Sequence, residues 1–323
     1  MKAVVIYKNE KQPRCADFQE PKVQADDQLL VSVKAVAVTQ YEKARATGAH
    51  YSSDISATEA TVVGGDGVFV LDDGTRVYAT SVSGSMAEKA IIDKKRMVKI
   101  PDNVDDVTAA ALPNAVIGAA MGLRFKADIQ KGDVVLINGA TGFTGRVAVQ
   151  LAKYYGAKTV IVTGRSAQSL QDLLSLGADK IISLLQTEEE LSEQLKAIHS
   201  ETPFNVIVDY LWGRSAEIIL DSLKGKGAFT TKTKYVSVGS LAGDSIQLSA
   251  MILRSVDLQL SGSGLGSWSK PQVHLLMTEI LPEMFAMAAE GKLKVETVAI
   301  GIESIEQHWD TAIPDGKRLV VVI

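Results

Sequence analysis

The sequence predicts an α/β protein of two domains, a β-rich barrel-like domain and a doubly wound parallel-sheet domain. The chain has 323 residues, of which 46% are hydrophobic, and this length exceeds the size at which a single core usually stops growing. Short β-type runs separated by turns occupy the chain up to about Pro113. From Gly132 onwards, strand and helix patterns alternate.

The first predicted domain consists of short strands. The β-type runs read KAVVIY, QLLVSVKAVAV, ATVVGGDGVFVLDDGTRVYA and EKAIIDKKRMVKI. Glycine and aspartate residues between 64 and 74 interrupt the third run as hairpin turns do, so we predict an antiparallel, barrel-like sheet. The stretch between Thr108 and Leu123 is rich in Ala, Gly and Met, which favours a tightly packed helix leading into the second domain.

The second predicted domain has the pattern of parallel strands joined by crossover helices. Its segments read VVLIN, VAVQLAKYYGA, TVIVTG, SLQDLLSLGA, KIIS, EELSEQLKAIH, NVIVDYL and AEIILDSLK. KYVSVGS and DLQLSGSG predict two further strands, and Asp257–Gly262 in the second is the expected edge of the sheet. The tail from Leu275 is expected to return to the first domain.

A glycine-rich turn follows the first strand of the second domain. Gly139, Gly142 and Gly145 form the pattern G-x-x-G-x-x-G between VVLIN and a helix that ends near Gly156. A strand, a glycine turn and a helix in this order place backbone N–H groups and the positive helix end where a pyrophosphate binds. The turn therefore predicts dinucleotide binding. The alternative is a tight turn without a ligand, and the several small residues at exposed positions argue against it.

The end of TVIVTG indicates which dinucleotide is bound. NAD-binding folds usually place an acidic residue about 20 residues after the turn, where it binds the ribose 2′-hydroxyl. The corresponding residues here are Gly164, Arg165 and Ser166. A guanidinium and a hydroxyl suit a 2′-phosphate, so NADP(H) is favoured over NAD(H). The alternative is that Arg165 is a solvated surface charge.

Composition excludes several classes of partner. The net charge of −4 and the absence of a long basic stripe argue against nucleic acids and anionic membranes, which leaves a small molecule. Cys15 is the single cysteine, so neither an intramolecular disulfide nor a thiolate-built zinc site is expected. The start MKAVVIYKNE reads as a strand rather than a signal peptide, and no apolar run reaches about 18 residues. These features predict a cytoplasmic protein without a metal.

Several stretches together resemble the zinc-independent quinone oxidoreductase branch of the medium-chain dehydrogenase/reductase superfamily. They are KGDVVLINGATGFTGRVAVQLAKYYGA, LGADKII, NVIVDYLWG, YVSVGSLAG, LQLSGSGLGS and GKRLVVVI, in the order of that family. The resemblance implies a GroES-like domain of residues 1–118 and 267–323, with a Rossmann NADP-binding domain of residues 119–266 inserted. It also implies a homodimer paired along the edge strand.

The resemblance extends the set of candidate cofactor-binding residues along the second domain. The candidates are Gly139, Thr141, Gly142, Phe143, Thr144, Gly145, Gly164, Arg165, Ser166, Val238, Gly239, Ser240, Gly262 and Ser263.

The implied reaction is transfer of a hydride from NADPH to a quinone or an α,β-unsaturated carbonyl, without a metal. One hydrogen-bond donor near the acceptor oxygen then suffices, and Tyr41 and Tyr51 flank the segment where the active cleft of the family forms. For each tyrosine, a half-buried packing role is the alternative.

Three positions depart from the family pattern. Thr39 stands where Asn is common, Phe143 replaces the usual glycine of the turn, and Gly118 replaces a frequent Thr. These changes motivate a second hypothesis, an NADPH-binding redox sensor or structural protein with little turnover. GATGFTG also resembles atypical short-chain dehydrogenases, but about 130 residues precede it here. Zinc-dependent alcohol oxidation is a third alternative, which the lone cysteine disfavours.

Overall fold

The computed structural model describes residues 1–8, 10–49, 60–225, 227, 229–314 and 316–323. These residues cluster into two compact units, one of residues 1–114 and 274–323 and one of residues 115–273. The expected boundaries were 118/119 and 266/267. Both observed boundaries fall inside helices, so no turn or break in composition marks them in the sequence.

The described residues form strands and helices as follows. The strands are β1 Lys2–Tyr7, β2 Arg14–Asp17, β3 Gln28–Val38, β4 Ala60–Val62, β5 Asp66–Val70, β6 Arg76–Ser81, β7 Lys89–Lys99, β8 Val134–Asn138, β9 Thr159–Gly164, β10 Lys180–Ser183, β11 Val206–Asp209, β12 Thr233–Ser237, β13 Leu258–Gly262, β14 Thr297–Gly301 and β15 Arg318–Val322. The α-helices are α1 Gln40–Ala46, α2 Asp106–Met121, α3 Phe143–Tyr154, α4 Ala167–Ser175, α5 Glu188–Glu201, α6 Gly213–Ser222, α7 Ala250–Ser255, α8 Lys270–Leu275, α9 Leu281–Ala289 and α10 Ile305–His308.

The first unit is a closed, mainly antiparallel barrel with a small second sheet. Its larger sheet has the order β14-β15-β3-β5-β6-β7, and β3 also pairs with β7, which closes the barrel. The smaller sheet has the order β2-β1-β4. Alternating side chains of β3 and β5 fill the barrel, where Phe69 and Trp309 are buried. The predicted barrel-like antiparallel sheet and the return of the C-terminal tail to this unit are confirmed.

The second unit is a doubly wound parallel sheet of the order β10-β9-β8-β11-β12-β13. Each pair in this sheet is parallel. The strand order reverses direction between β8 and β11, so a crevice for a ligand is expected outside the carboxyl ends of these strands. β8 is buried at every residue, as a strand covered by helices on both faces must be. The predicted α/β class is confirmed.

Helix α2 and the π-helical turn that follows it, Gly122–Lys126, are unusually apolar. Residues 106–126 have the length and composition of a membrane-crossing helix, but 67% of an 18-residue stretch within them is buried inside the protein. The helix presents Ala and Gly on nearly all sides, and this small-residue surface allows neighbouring elements to approach closely. The expectation of a tightly packed helix in this stretch agrees with the structure.

Candidate functional site

The candidate cofactor-binding residues lie at the carboxyl ends of four parallel strands. Gly139 directly follows β8, and Gly164 is the last residue of β9. Val238 directly follows β12, and Gly262 is the last residue of β13. Residues far apart in the sequence thus share one edge of one sheet, the edge at which doubly wound folds bind nucleotides.

The N-terminus of helix α3 lacks a side-chain cap. Its N-cap residue is Gly142, which offers no oxygen to the first helical N–H groups. In contrast, side-chain oxygens of Thr39, Ser166 and Thr187 cap α1, α4 and α5. The uncapped N–H groups and the helix dipole favour an anion at this end of α3.

The three glycines of the turn have different structural roles. Gly139 has φ +80°, a conformation that other residues rarely adopt. A Cβ on Gly145 would lie 2.5 Å from Ala140 Cα, so this glycine allows the helix to pack against the turn. Gly142 has φ −76°, and a Cβ there would meet only Gly139 O at 3.9 Å. The fold itself therefore tolerates a side chain at Gly142, and its absence leaves space beside the α3 N-terminus for a bound group.

The end of β9 presents a guanidinium group to solvent. Arg165 is exposed and has no hydrogen bond or ion pair with another described residue. Ser166 accepts a hydrogen bond from Ser169 N at 3.2 Å, so its hydroxyl caps α4. Gly164 is required by packing, because a Cβ there would collide with the Thr141 methyl group. Arg165 remains available for a phosphate, whereas Ser166 and Thr141 also serve the local structure.

The ends of β12 and β13 contain the remaining candidate residues. Ser240 and Gly262 are exposed, whereas Ser263 is buried and accepts a hydrogen bond from Trp268 Nε1 at 3.1 Å. Gly239 is required by packing, because a Cβ would lie 2.7 Å from Tyr210 O. The exposed residues are therefore better placed to contact a ligand than the buried serine.

Four buried polar side chains connect the ends of β8, β9, β11 and β12. Thr163 Oγ1 donates to Asn138 Oδ1 at 2.6 Å, and Asn138 Nδ2 donates to Asp209 Oδ1 at 2.7 Å. Tyr235 Oη donates to Asp209 Oδ2 at 2.7 Å. Gly139 N donates to Thr163 Oγ1 at 3.0 Å, so the network directly holds the first residue of the glycine turn. All four side chains have no exposed surface.

The sequence patterns above do not predict this network. Two of its members end an apolar strand pattern, Asn138 after VVLI and Asp209 after VIV. A polar residue at the buried end of a parallel strand was the available signal, because buried polar groups are almost always hydrogen-bonded.

The catalytic candidates lie in the first unit. Tyr41 is half-buried in α1, and the Arg45 guanidinium lies 5.7 Å from the centre of its ring. Tyr51 lies outside the described residues, so its role stays a prediction. Thr39 is 3% exposed, and its Oγ1 accepts a hydrogen bond from Glu42 N at 3.0 Å. The Thr39 hydroxyl thus caps α1 at the position where the family often has Asn.

A buried cluster of ionisable groups lies next to α1 in the same unit. Glu42 is 3% exposed, and its burial together with the charge of Asp66 raises its pKa to about 7. Asp66 accepts a hydrogen bond from Tyr78 Oη at 2.7 Å, and burial raises the pKa of Asp66 as well. Burial lowers the pKa of Arg318 to about 10. A carboxyl group that titrates near neutral pH is a candidate proton carrier.

No group of three or more His, Cys, Asp or Glu residues in the described part of the chain has the arrangement of a metal site. The predicted lack of a metal stays a prediction, which chelation tests.

Comparison with known proteins agrees with this geometry. The profile of the family described as Zinc-binding dehydrogenase matches residues 144–280. The chain is 24% identical to a probable NADPH-dependent quinone reductase of Emericella nidulans, over 96% of both chains. These matches agree with the resemblance of the chain to the quinone oxidoreductase branch of the medium-chain dehydrogenase/reductase superfamily.

Two further matches extend the comparison. An NADPH-dependent alkenal/one oxidoreductase of Arabidopsis thaliana is 30% identical over 52% of this chain and 47% of that protein. The structure of Escherichia coli quinone oxidoreductase complexed with NADPH covers 100% of both chains with a TM-score of 0.80 and 21% identity. The second comparison shows that the complete fold is shared.

At two of the positions that depart from the pattern of that family, the structure shows how the residue packs. A Cβ on Gly118 would lie 2.9 Å from the Thr144 methyl group, so Gly118 makes room for Thr144. The carbonyl oxygen of Gly118 accepts a hydrogen bond from Tyr210 Oη at 3.3 Å. Phe143 is the first residue of α3 and is 8% exposed. Its ring is therefore largely covered rather than projecting from the turn.

Proposed function

We propose that the protein is an NADPH-dependent reductase of quinones or α,β-unsaturated carbonyls. The observation that carries this proposal is the uncapped N-terminus of α3, where Gly142 leaves space for a bound anionic group. The exposed Arg165 at the end of the next strand supplies a cation for a 2′-phosphate. The names of the relatives, which include quinone reductases and an alkenal/one oxidoreductase, support the substrate class.

The α3 N-terminus and Arg165 fit two different phosphate groups of NADPH. The first N–H groups of α3 bind the pyrophosphate, and Gly142 admits it without a steric conflict. Arg165 binds the 2′-phosphate, and the absence of an acidic side chain among Gly164, Arg165 and Ser166 avoids repulsion. When bound, NADPH supplies the hydride, and the protein orients it.

Reduction also requires a proton, and the first unit offers two sources. Tyr41 is the candidate hydrogen-bond donor to the oxygen that gains negative charge. Glu42, the next residue, has a pKa of about 7 and can therefore hold or release a proton near neutral pH. Water completes the proton supply, because activated acceptors need little acid catalysis.

A panel assay tests the proposed function. NADPH absorbance at 340 nm is followed after addition of simple quinones, alkenals and alkenones, with saturated aldehydes as the control acceptors. We expect consumption with the activated acceptors and none with the saturated ones. Tight NADPH binding without consumption of any acceptor would instead support the redox sensor or structural protein, for which the use of the Thr39 hydroxyl as a helix cap is the specific observation.

Three finer features are part of the proposal. Catalysis proceeds without a metal, which the single cysteine supports. The protein forms a homodimer through the free edge of β13, which pairs with β12 alone among the described strands. The location is cytoplasmic, which fractionation of cell extracts against marker enzymes tests.

A further inference from the structure

Asp209 is the last residue of the central strand β11, and its carboxylate accepts hydrogen bonds from four groups. Its carboxylate accepts from Asn138 Nδ2 and Tyr235 Oη, both at 2.7 Å. It also accepts from two backbone groups of the following turn, Leu211 N at 2.8 Å and Trp212 N at 3.1 Å. Asp209 is fully buried and has no ion pair with a described residue. These four hydrogen bonds are therefore the interactions that stabilise its buried carboxylate.

The turn held by Asp209 is strained. Trp212 has φ +58° and ψ −153°, a combination that is essentially restricted to glycine. Only one other non-glycine residue in the described part of the chain, Asp128, has a positive φ. Such a conformation persists only where surrounding contacts fix it, and residues of this kind cluster at functional sites.

The strained turn places Leu211 against the glycine turn. A Cβ on Gly139 would lie 2.7 Å from Leu211 Cγ, so the leucine side chain directly covers this glycine. Leu211 O accepts a hydrogen bond from Ala242 N at 2.8 Å, which fixes the turn from its other side. The Trp212 ring points to Tyr235, with ring centres 6.1 Å apart. Leu211 is half-exposed and therefore offers an apolar surface beside Gly139.

Asp209 also connects this turn with the end of β12. Its carbonyl oxygen accepts hydrogen bonds from Val238 N at 2.8 Å and Gly239 N at 3.2 Å. Through Asn138 and Thr163, the same residue reaches Gly139 N. Three segments at the carboxyl edge of the sheet are thus joined through one side chain and its backbone.

We propose that Asp209 is a positioning residue for the dinucleotide, because it holds Trp212 in a strained conformation that fixes Leu211 as an apolar wall beside the glycine turn. This inference rests on the proposed function for the identity of the ligand. The strain lowers the stability of the folded protein, but it keeps the Leu211 surface in its binding arrangement before the cofactor binds. Relaxation of the turn lowers the fraction of binding-competent molecules, and a tenfold lower fraction weakens the apparent affinity about tenfold.

Two substitutions at Trp212 separate this role from a packing role. Trp212→Ala and Trp212→Gly both remove the indole ring, but only glycine relieves the backbone strain. Urea denaturation without cofactor should give a higher midpoint for Trp212→Gly than for Trp212→Ala, the reverse of the usual order of these residues. NADPH titration followed by fluorescence should give the opposite ranking, with Trp212→Gly binding about tenfold more weakly than Trp212→Ala.

A double-mutant cycle tests the participation of Asp209. Asp209→Asn keeps the shape but turns one acceptor into a donor, so the turn relaxes and NADPH affinity falls. Adding Trp212→Gly to this variant should cause little further loss, because both changes act through the same turn. Asp179→Asn is the matched control, since Asp179 accepts a hydrogen bond from Val160 N outside this edge of the sheet and its replacement should leave the affinity unchanged.

The possible results discriminate between the two proposals. If the affinities of the Trp212 variants follow their stabilities, or if the effects of Asp209→Asn and Trp212→Gly add fully, the positioning role is wrong. If wild-type protein binds NADPH with the expected ranking among variants but reduces no quinone or enone, the positioning role stands and the proposed reaction is wrong. If wild-type protein does not bind NADPH at all, the cofactor assignment and the inference both fail.

Discussion

The lack of a Cβ atom at Gly142 is the smallest feature of the proposed cofactor site. The backbone at this position suits any residue, and a Cβ has room, so the glycine is not required by the fold. Gly145, three residues later, is required, because Ala140 occupies the space of its Cβ. Two glycines of one motif therefore differ in the reason for which they are glycine.

Replacement of Gly142 by Val should abolish NADPH binding in a folded protein. The β-branched side chain fills the space beside the α3 N-terminus, while the unfolding free energy should change by less than about 1 kcal/mol. Calorimetric titration with NADPH and urea denaturation provide the two measurements. Gly145→Val is the matched contrast, and it should lose stability. Unchanged NADPH binding in folded Gly142→Val would contradict the proposed position of the pyrophosphate.

Arg165 should determine the preference for NADPH over NADH. Its guanidinium is exposed and unpaired among the described residues, so a 2′-phosphate would be its main partner. Arg165→Ala should lose roughly 1.5–3 kcal/mol, about ten- to hundredfold in NADPH affinity, with little change for NADH. Titration with both cofactors measures this, and Arg96→Ala in the first unit is the control. Equal affinities of the wild-type protein for both cofactors would overturn the assignment.

Glu42 should make stability depend on pH. Its pKa is raised from 4.5 to about 7, so the folded state binds the proton more tightly than the unfolded state. The stabilisation that the protonated Glu42 carboxyl gives the folded state is therefore fully present below pH 4.5. It is lost as the pH rises through about 7. Glu42→Gln should remove this decrease, which amounts to on the order of 2–3 kcal/mol. Urea denaturation between pH 4.5 and 8 measures it.

The control for this pH dependence is Glu193→Gln on the exposed face of α5, which should keep the wild-type profile. A Glu42→Gln profile that matches the wild type would show that the Glu42 carboxyl is not the group responsible.

Strand β13 is the element that should form the dimer interface. Its outer edge is open in the described structure, and it presents the apolar Leu260, which is 37% exposed. Further exposed apolar side chains, Met251 and Leu253, lie in the preceding helix α7. An open apolar edge of this kind favours pairing with a second strand.

Leu260→Lys should convert the dimer into monomers, because a lysine on an edge strand opposes pairing. Light scattering should then give a mass near 34.5 kDa for the variant and twice that for the wild type. Leu260 is preferable to Leu258 as the probe, because Leu258 packs against the core. Leu174→Lys on the exposed face of α4 is the control. A wild-type mass of 34.5 kDa would rule out the dimer.

The proposed reduction should proceed without a metal. The one cysteine of the chain cannot build the thiolate sites of zinc-dependent relatives, and no described cluster of ligands replaces them. Exhaustive chelation should leave both NADPH consumption and the thermal unfolding midpoint unchanged. Stoichiometric zinc by elemental analysis, together with loss of turnover on its removal, would contradict this expectation.

Sequence patterns were sufficient for the two kinds of sheet, the edge position of β13 and the location of the glycine turn. These features depend on local properties: the periodicity of apolar residues along each strand, the small residues of a turn and the order of strands and helices. The candidate cofactor residues were predicted from the glycine turn, from the end of the next strand and, for the rest, from the family resemblance. Their contacts with NADPH stay predictions.

Only the tertiary structure revealed which polar residues support the site. Asn138 and Asp209 are 71 residues apart, and nothing local to either indicates that they share a hydrogen bond. The same holds for the pKa of Glu42 in helix α1, which depends on burial beside Asp66 of strand β5. The conformation of Trp212 was equally hidden, because a tryptophan gives no sign of a glycine-like backbone. Local patterns specify elements, whereas burial, charge and strain arise from the residues that folding brings together.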